Sequence, residues 1–135
     1  MEAADLVALE KTFWTGGVDV SEPRLAREVM MVFQHGPMSR REILESLRAA
    51  PRWTEVDITQ ATVRQPAPGL LALGYRARAR RNPADPPYEA WVGSVYVVEA
   101  GEWHLAFHQH SPIITPSGNF SPQLDASESV LKTPG

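Results

Sequence analysis

The sequence predicts an α+β fold, in which three N-terminal helices pack on one face of a curved antiparallel sheet. Three observations predict it. Apolar residues recur at helical spacing until Pro51. Beyond Pro51 the period changes from helical to alternating, which marks strands. The two most apolar alternating runs, Tyr88 to Val98 and Glu102 to Ser111, flank Ala100-Gly101 as a long closing hairpin.

Leu6, Leu9 and Phe13, with Val7 beside them, give one apolar face to a helix from Glu2 to Trp14, which Gly16-Gly17 ends. Ser21 is placed to cap a second helix through Glu28, because Pro23 is tolerated in a first turn whose N–H groups lack partners anyway. Val29 to Gln34 is too short for a helix of its own and is closed by His35-Gly36-Pro37, so it reads as a buried strand. Ser39-Arg40-Arg41-Glu42 has capping-box spacing and starts a third helix. Ile43, Leu44 and Leu47 stripe it, and Pro51 stops it near Ala50. Val56 and Ile58 alternate with acidic and hydroxyl residues, and the slip at Gln60-Ala61 predicts a bulge. Pro66-Ala67-Pro68-Gly69 turns the chain into a strand carrying Leu71, Leu73 and Tyr75, which ends at the proline-rich loop from Asn82 to Pro87. After Pro112 the composition shifts to Ser, Pro, Gly, Thr and Asn. Residues 1–112 are therefore expected to form the folded domain, and 113–135 a mobile tail or an arm laid on a neighbour.

Composition narrows the function. At 135 residues the chain suits a single domain with one real core. Its net charge of −3 argues against a protein that grips nucleic acid, and no apolar run reaches the roughly 20 residues of a membrane span. The first residues are acidic and lack the pattern of a secretory leader, so a cytoplasmic location is expected. Cysteine is absent, which removes thiolate metal sites, disulfides and cysteine nucleophiles.

The run Leu9-Glu10-Lys11-Thr12-Phe13-Trp14-Thr15-Gly16, the strand Val29-Met30-Met31-Val32-Phe33 and the capping box resemble the nuclear transport factor 2-like superfamily, most closely its SnoaL-like domains of uncharacterised function. Tyr75-Arg76-Ala77, Ser94-Val95-Tyr96-Val97 and the segment Trp103 to Pro112 carry the same resemblance, which spans about Ala3 to Pro112. It implies a cone-shaped fold: a bent sheet wrapped around the three helices, a pocket at the open end, and a homodimer through the outer sheet face. It also implies that Trp14, at the end of the first helix, points into the pocket. The superfamily holds isomerases, dehydratases, cyclases, hydrolases and pure binding domains, so the fold alone fixes no reaction.

A tight turn at Ala100-Gly101 pairs Val98 with Trp103, Tyr96 with Leu105, Ser94 with Phe107 and Val92 with Gln109 on one face of the hairpin. That face suits the pocket, whereas a one-residue bulge swaps the two faces. The expected lining is Trp14, Phe33, Tyr75, Ser94, Tyr96, Phe107 and Gln109, polar groups set among aromatics that orient a ligand in an apolar cavity. In this register His104, His108 and His110 share the outer face. His108 and His110 have the spacing of two ligands of one metal, but no third ligand presents itself, and an interface face with His110 near Trp91 is preferred. A Ser94–His108 nucleophile pair is excluded because the two fall on opposite faces.

A ketosteroid isomerase of this fold uses an aspartate base with a tyrosine and a protonated aspartate as oxyanion partners. This chain departs from that pattern, having no acid between Val29 and Phe33 and Phe13 or Trp14 near the expected tyrosine. Glu28, Glu55, Asp57 and Glu89 read as solvated charges, with Glu89 and His35 nearest the mouth. Arg76, Arg78 and Arg80 alternate along one strand and are expected to pair with acids across the sheet. The expected function is a homodimer that binds a small, mostly apolar ligand without cofactor or metal. An isomerase, dehydratase or cyclase is the alternative, with Gln109 or Tyr75 polarising a carbonyl and a carboxylate or His35 moving a proton. A protein interaction module acting through the convex sheet and tail is the third.

Overall fold

The computed structural model describes residues 2–114. Most of the expected tail, 115–135, lies outside the described residues. Helix α1 spans Ala3–Thr15 and buries Leu6, Glu10, Phe13 and Trp14 on one stripe. Its last carbonyls are satisfied from outside the helix. Gly16 N–H donates to the Thr12 carbonyl at 2.8 Å, and the Arg52 guanidinium donates to the carbonyls of Gly16 (2.9 Å), Trp14 (2.8 Å) and Phe13.

The second helix differs from expectation. Helix α2 covers only Val18–Ser21, a 3-10 turn follows at Glu22–Arg24, and Leu25 already begins strand β1, Leu25–Phe33. Pro23 sits at the start of the 3-10 turn, where it needs no N–H partner. Leu25 and Ala26 bury into the core, and Leu25 pairs with Leu105. Tertiary pairing thus overrides the helical reading of 21–28. A short strand β2, Gly36–Met38, folds back on β1. Helix α3, Arg40–Ala49, starts on the expected capping box: Glu42 N–H donates to Ser39 Oγ at 3.3 Å, and Ser39 N–H donates to Glu42 Oε1 at 2.8 Å.

Strands β3 (Glu55–Ala67), β4 (Leu70–Arg80), β5 (Tyr88–Glu99) and β6 (Glu102–Pro112) form the antiparallel meander. The sheet order is β2-β1-β6-β5-β4-β3, and the β1–β6 pair is parallel, so the curved sheet is mixed rather than purely antiparallel. Two strands, not one, precede the meander. The predicted bulge in β3 is present, with Gln60 at φ 56° between the pairs Thr59–Arg76 and Thr62–Gly74. Ala100 (φ 54°) and Gly101 (φ 78°) make the two-residue turn between β5 and β6, where positive φ at both positions matches the strand twist. Leu71, Leu73, Tyr75, Ala77 and Ala79 point inward from β4. On the opposite face Arg76 pairs with Glu89 at 2.7 Å, and Arg80 lies 3.7 Å from Glu55, the cross-strand pairing expected of the arginine stripe.

The closing hairpin keeps its expected register only as far as Tyr96–Leu105. Ala106 is then inserted as an extra residue in β6, so that Val95 pairs with Phe107, Ser94 with His108, Gly93 with Gln109 and Val92 with His110. Strand β1 is irregular at the same level, between its pairs Leu25–Leu105 and Met30–Phe107. Paired irregularities of this kind are how a sheet bends. Beyond Ala106 the faces are swapped relative to expectation: the histidines turn inward, and Phe107 and Gln109 turn outward.

Candidate functional site

The site is built downward from α1 and upward from the swapped end of β6. Glu10 lies four residues after Leu6 and three before Phe13, on the buried stripe of α1, and its side chain is 0% exposed. Ionised and buried, it needs donors on every side. It has four. Tyr75 from β4 donates to Oε2 at 2.7 Å, Ser94 from β5 donates to Oε2 at 2.7 Å, and Tyr96 donates to Oε1. His108 Nδ1 lies 3.1 Å from Oε2. Trp14 Nε1 donates to the Tyr75 hydroxyl at 2.9 Å and fixes the ring that supports the carboxylate. Burial alone raises the pKa of Glu10, but the hydrogen bond and charge of His108, with the Tyr96 and Tyr75 hydroxyls, outweigh it and hold the carboxyl below its usual range. Tyr75 and Tyr96 are pushed the other way, upward, by burial and by the Glu10 charge, so both remain protonated donors.

Hydrogen counting assigns the protons. Ser94 has one hydroxyl hydrogen and gives it to Glu10, so toward His108 Nδ1, 2.7 Å away, its oxygen accepts. The proton between His108 and Glu10 therefore sits on His108 Nδ1. His108 Nε2 faces His110 Nε2 at 2.9 Å, and His110 Nδ1 faces the Tyr88 hydroxyl at 3.0 Å. Burial beside His108 lowers the pKa of His110 to about 3, so His110 is neutral near pH 7. With His108 neutral the chain runs in one sense: Tyr88 O–H donates to His110 Nδ1, His110 Nε2–H to His108 Nε2, and His108 Nδ1–H to Glu10. One added proton reverses the two outer bonds and leaves His108 doubly protonated against the Glu10 carboxylate.

The chain ends in the wall of a pocket of about 410 Å³. Trp14, Trp53, Tyr88 and Phe33 line it together with His108 and His110. Trp14 stacks on His110 with centroids 4.8 Å apart and planes at 11°, Phe33 meets His110 edge-on at 4.8 Å, and Trp53 stacks on Tyr88 at 5.3 Å. The floor, from Leu25, Met31 and Ile43, is apolar.

Of the residues singled out in the sequence, Trp14 and Phe33 line the pocket, and Tyr75, Ser94 and Tyr96 meet one layer beneath it around Glu10. Phe107 and Gln109 lie elsewhere. They pair with Val95 and Gly93 on the outer face, and Gln109 is exposed, because the bulge at Ala106 moved them there. The same bulge overturns the separation of Ser94 from His108, which are hydrogen-bonded, and the placing of His110 near Trp91. Glu28, Glu55 and Asp57 are exposed, Glu89 pairs with Arg76, and His35 lies at the pocket. Among the described residues no cluster of three His, Asp or Glu side chains is placed to hold a metal ion, and no helix is long and apolar enough to cross a membrane. Sequence reasoning missed Glu10, His108 and His110. The signal for Glu10 was its phase, since 6, 10, 13 and 14 form one helical stripe with a carboxylate at its centre.

No protein-family model matches the chain, and no curated protein matches it. Solved structures do. An NTF2-like protein of unknown function in nutrient uptake from Rhodospirillum rubrum aligns with a TM-score of 0.71 at 20% identity, over 84% of this chain and 100% of that one. An NTF2-like protein of unknown function from Prochlorococcus marinus aligns at 0.69 and 10% identity, over 86% and 97%. A candidate ketosteroid isomerase from Parabacteroides distasonis aligns at 0.67 and 13% identity, over 80% and 85%. The mixed curved sheet, the helices it wraps and these alignments together identify the fold as that of the nuclear transport factor 2-like superfamily.

Proposed function

We propose that the cone takes up a small, mostly apolar molecule. The observation that carries this reading is the aromatic-walled cavity of about 410 Å³, within the size range of small-molecule sites, with the hydrogen-bonded groups His108, His110 and Tyr88 in its wall. A homodimer through the outer sheet face completes the proposal. Trp91 and Met30 are 45% and 42% exposed, and Phe107 and Val95 form a cross-strand pair on the same face. Native mass spectrometry of the purified protein, followed by denaturation and identification of released compounds, tests both parts. A dimer that carries or takes up an apolar compound is the expected result. A monomer with a cavity that stays empty against a broad set of apolar compounds overturns the proposal.

The proton chain favours a second reading, an enzyme of isomerase or dehydratase type. His110 on its own, with a pKa of about 3, is a weak base. Within the chain it passes a proton on to His108, and the imidazolium then forms against Glu10, where the charge is compensated. A proton abstracted from a bound carbonyl compound would travel by this route to His108, beside the buried carboxylate. Solvent exchange of a carbon-bound hydrogen in a bound ketone, lost in His108→Gln with binding retained, is the expected signature. Exchange unaffected by that substitution removes the enzyme reading and leaves the binding one.

A further inference from the structure

We infer that the molecule held by the cone carries a carboxylate, seated against Arg52 and Arg81 in the pocket wall. The inference rests on the pocket reading above and names the ligand class. Arg52 and Arg81 line the cavity, and no aspartate or glutamate does. Arg81 Nε donates to the Pro51 carbonyl at 3.0 Å, and its guanidinium lies 3.9 Å from the centre of the Trp53 ring. The side chain thus straddles residues 51 to 53 and brings its charge beside Arg52. Arg52 commits Nε and Nη2 to the carbonyls that end α1, which leaves its Nη1 edge. Among the described residues neither guanidinium meets a carboxylate. Two like charges side by side, with Arg52 half-buried, are an unfavourable arrangement that an anion relieves.

The rest of the wall suits the body of such a ligand. Trp53, Tyr88, Trp14 and Phe33 line the cavity, so an apolar or aromatic body leaving the guanidinium pair meets aromatic side chains. Guanidinium edges match the two oxygens of a carboxylate, and they gain strength where one side is shielded from water. A neutral amide of the same shape keeps the body contacts and loses the charge.

The test is calorimetric titration at pH 7.5 with naphthoate, cinnamate and decanoate, each against its own primary amide. The expected result is that at least one acid binds about tenfold or more tightly than its amide, a gap of roughly 1.4 kcal/mol. Arg81→Gln is expected to reduce that ratio below about threefold, and added salt to weaken the acid alone. Amides that bind as well as their acids, or a preference that survives in Arg81→Gln, overturn the carboxylate inference and leave the pocket reading standing. If no member of either series binds the folded protein, both fall.

Discussion

Replacing Glu10 by glutamine keeps the shape of the side chain and removes its charge, which isolates what the buried carboxylate contributes. With its amide oxygen in the place of Oε2, glutamine still accepts from Tyr75, Ser94 and His108, now as a neutral group. Its NH2 then faces the Tyr96 hydroxyl, donor against donor, and the Tyr96 proton loses its partner. A buried donor left unpaired costs about 1–3 kcal/mol, and each charge-assisted bond reduced to a neutral one about 1 kcal/mol more. Relief of burying a charge offsets part of this, so the net loss is about 2–4 kcal/mol, and Tm falls by roughly 6–12 °C for a domain of this size. The sign with pH follows from the lowered pKa. A carboxyl held below its usual value of 4.5 stabilises the fold fully above that pH, and the contribution fades as pH falls through the folded pKa. The gap between the two proteins in urea denaturation is therefore expected to be full at pH 7 and to close below pH 4.5. A variant as stable as the parent at pH 7, or a gap that widens on acidification, refutes the reasoning.

His110→Phe keeps the stacking position on Trp14 and removes the titrating group. Because the folded pKa of about 3 lies below the unfolded value of 6.5, the parent loses stability as pH falls from 6.5 toward 3. By pH 5 that loss is about 2 kcal/mol relative to pH 7, and the variant is expected to lack it in urea titrations at the two pH values. Arg52→Ala frees the last carbonyls of α1 from their donor and is expected to lower stability by about 1–3 kcal/mol, with the α1 end exchanging amide hydrogens faster than the sheet. Ser39→Ala removes the capping box of α3 at an exposed position, costs about 1 kcal/mol in thermal denaturation, and leaves ligand binding unchanged.

The parts of the fold legible in the sequence were those set by local rules. The Ser39 box, the stop at Pro51, the bulge at Gln60-Ala61 and the turn at Ala100-Gly101 each depend on a few adjacent residues, and each lies where expected. The segment 21–28 failed because its fate is decided by a partner far away in sequence, Leu105. The site failed at one residue. An inserted alanine at 106 leaves no mark in an apolar strand, yet with a period of two it exchanges every inward and outward side chain after it. Phe107 and Gln109 were expected inside and His108 and His110 outside for that reason alone. Glu10 escaped notice because a glutamate in a helix is usually solvated, although its phase with Leu6 and Phe13 already placed it inward.

The proton chain from Glu10 through His108 and His110 to the pocket wall is the centre of the account, and nitrogen NMR of the two imidazole rings addresses it directly. Long-range proton–nitrogen spectra recorded across pH report which ring nitrogens carry hydrogen. His108 is expected to carry hydrogen on Nδ1 throughout, and His110 to be neutral, with hydrogen on one ring nitrogen only, at pH 7 and still at pH 5. A bare His108 Nδ1 at pH 7, or a His110 ring that is doubly protonated by pH 6, contradicts it.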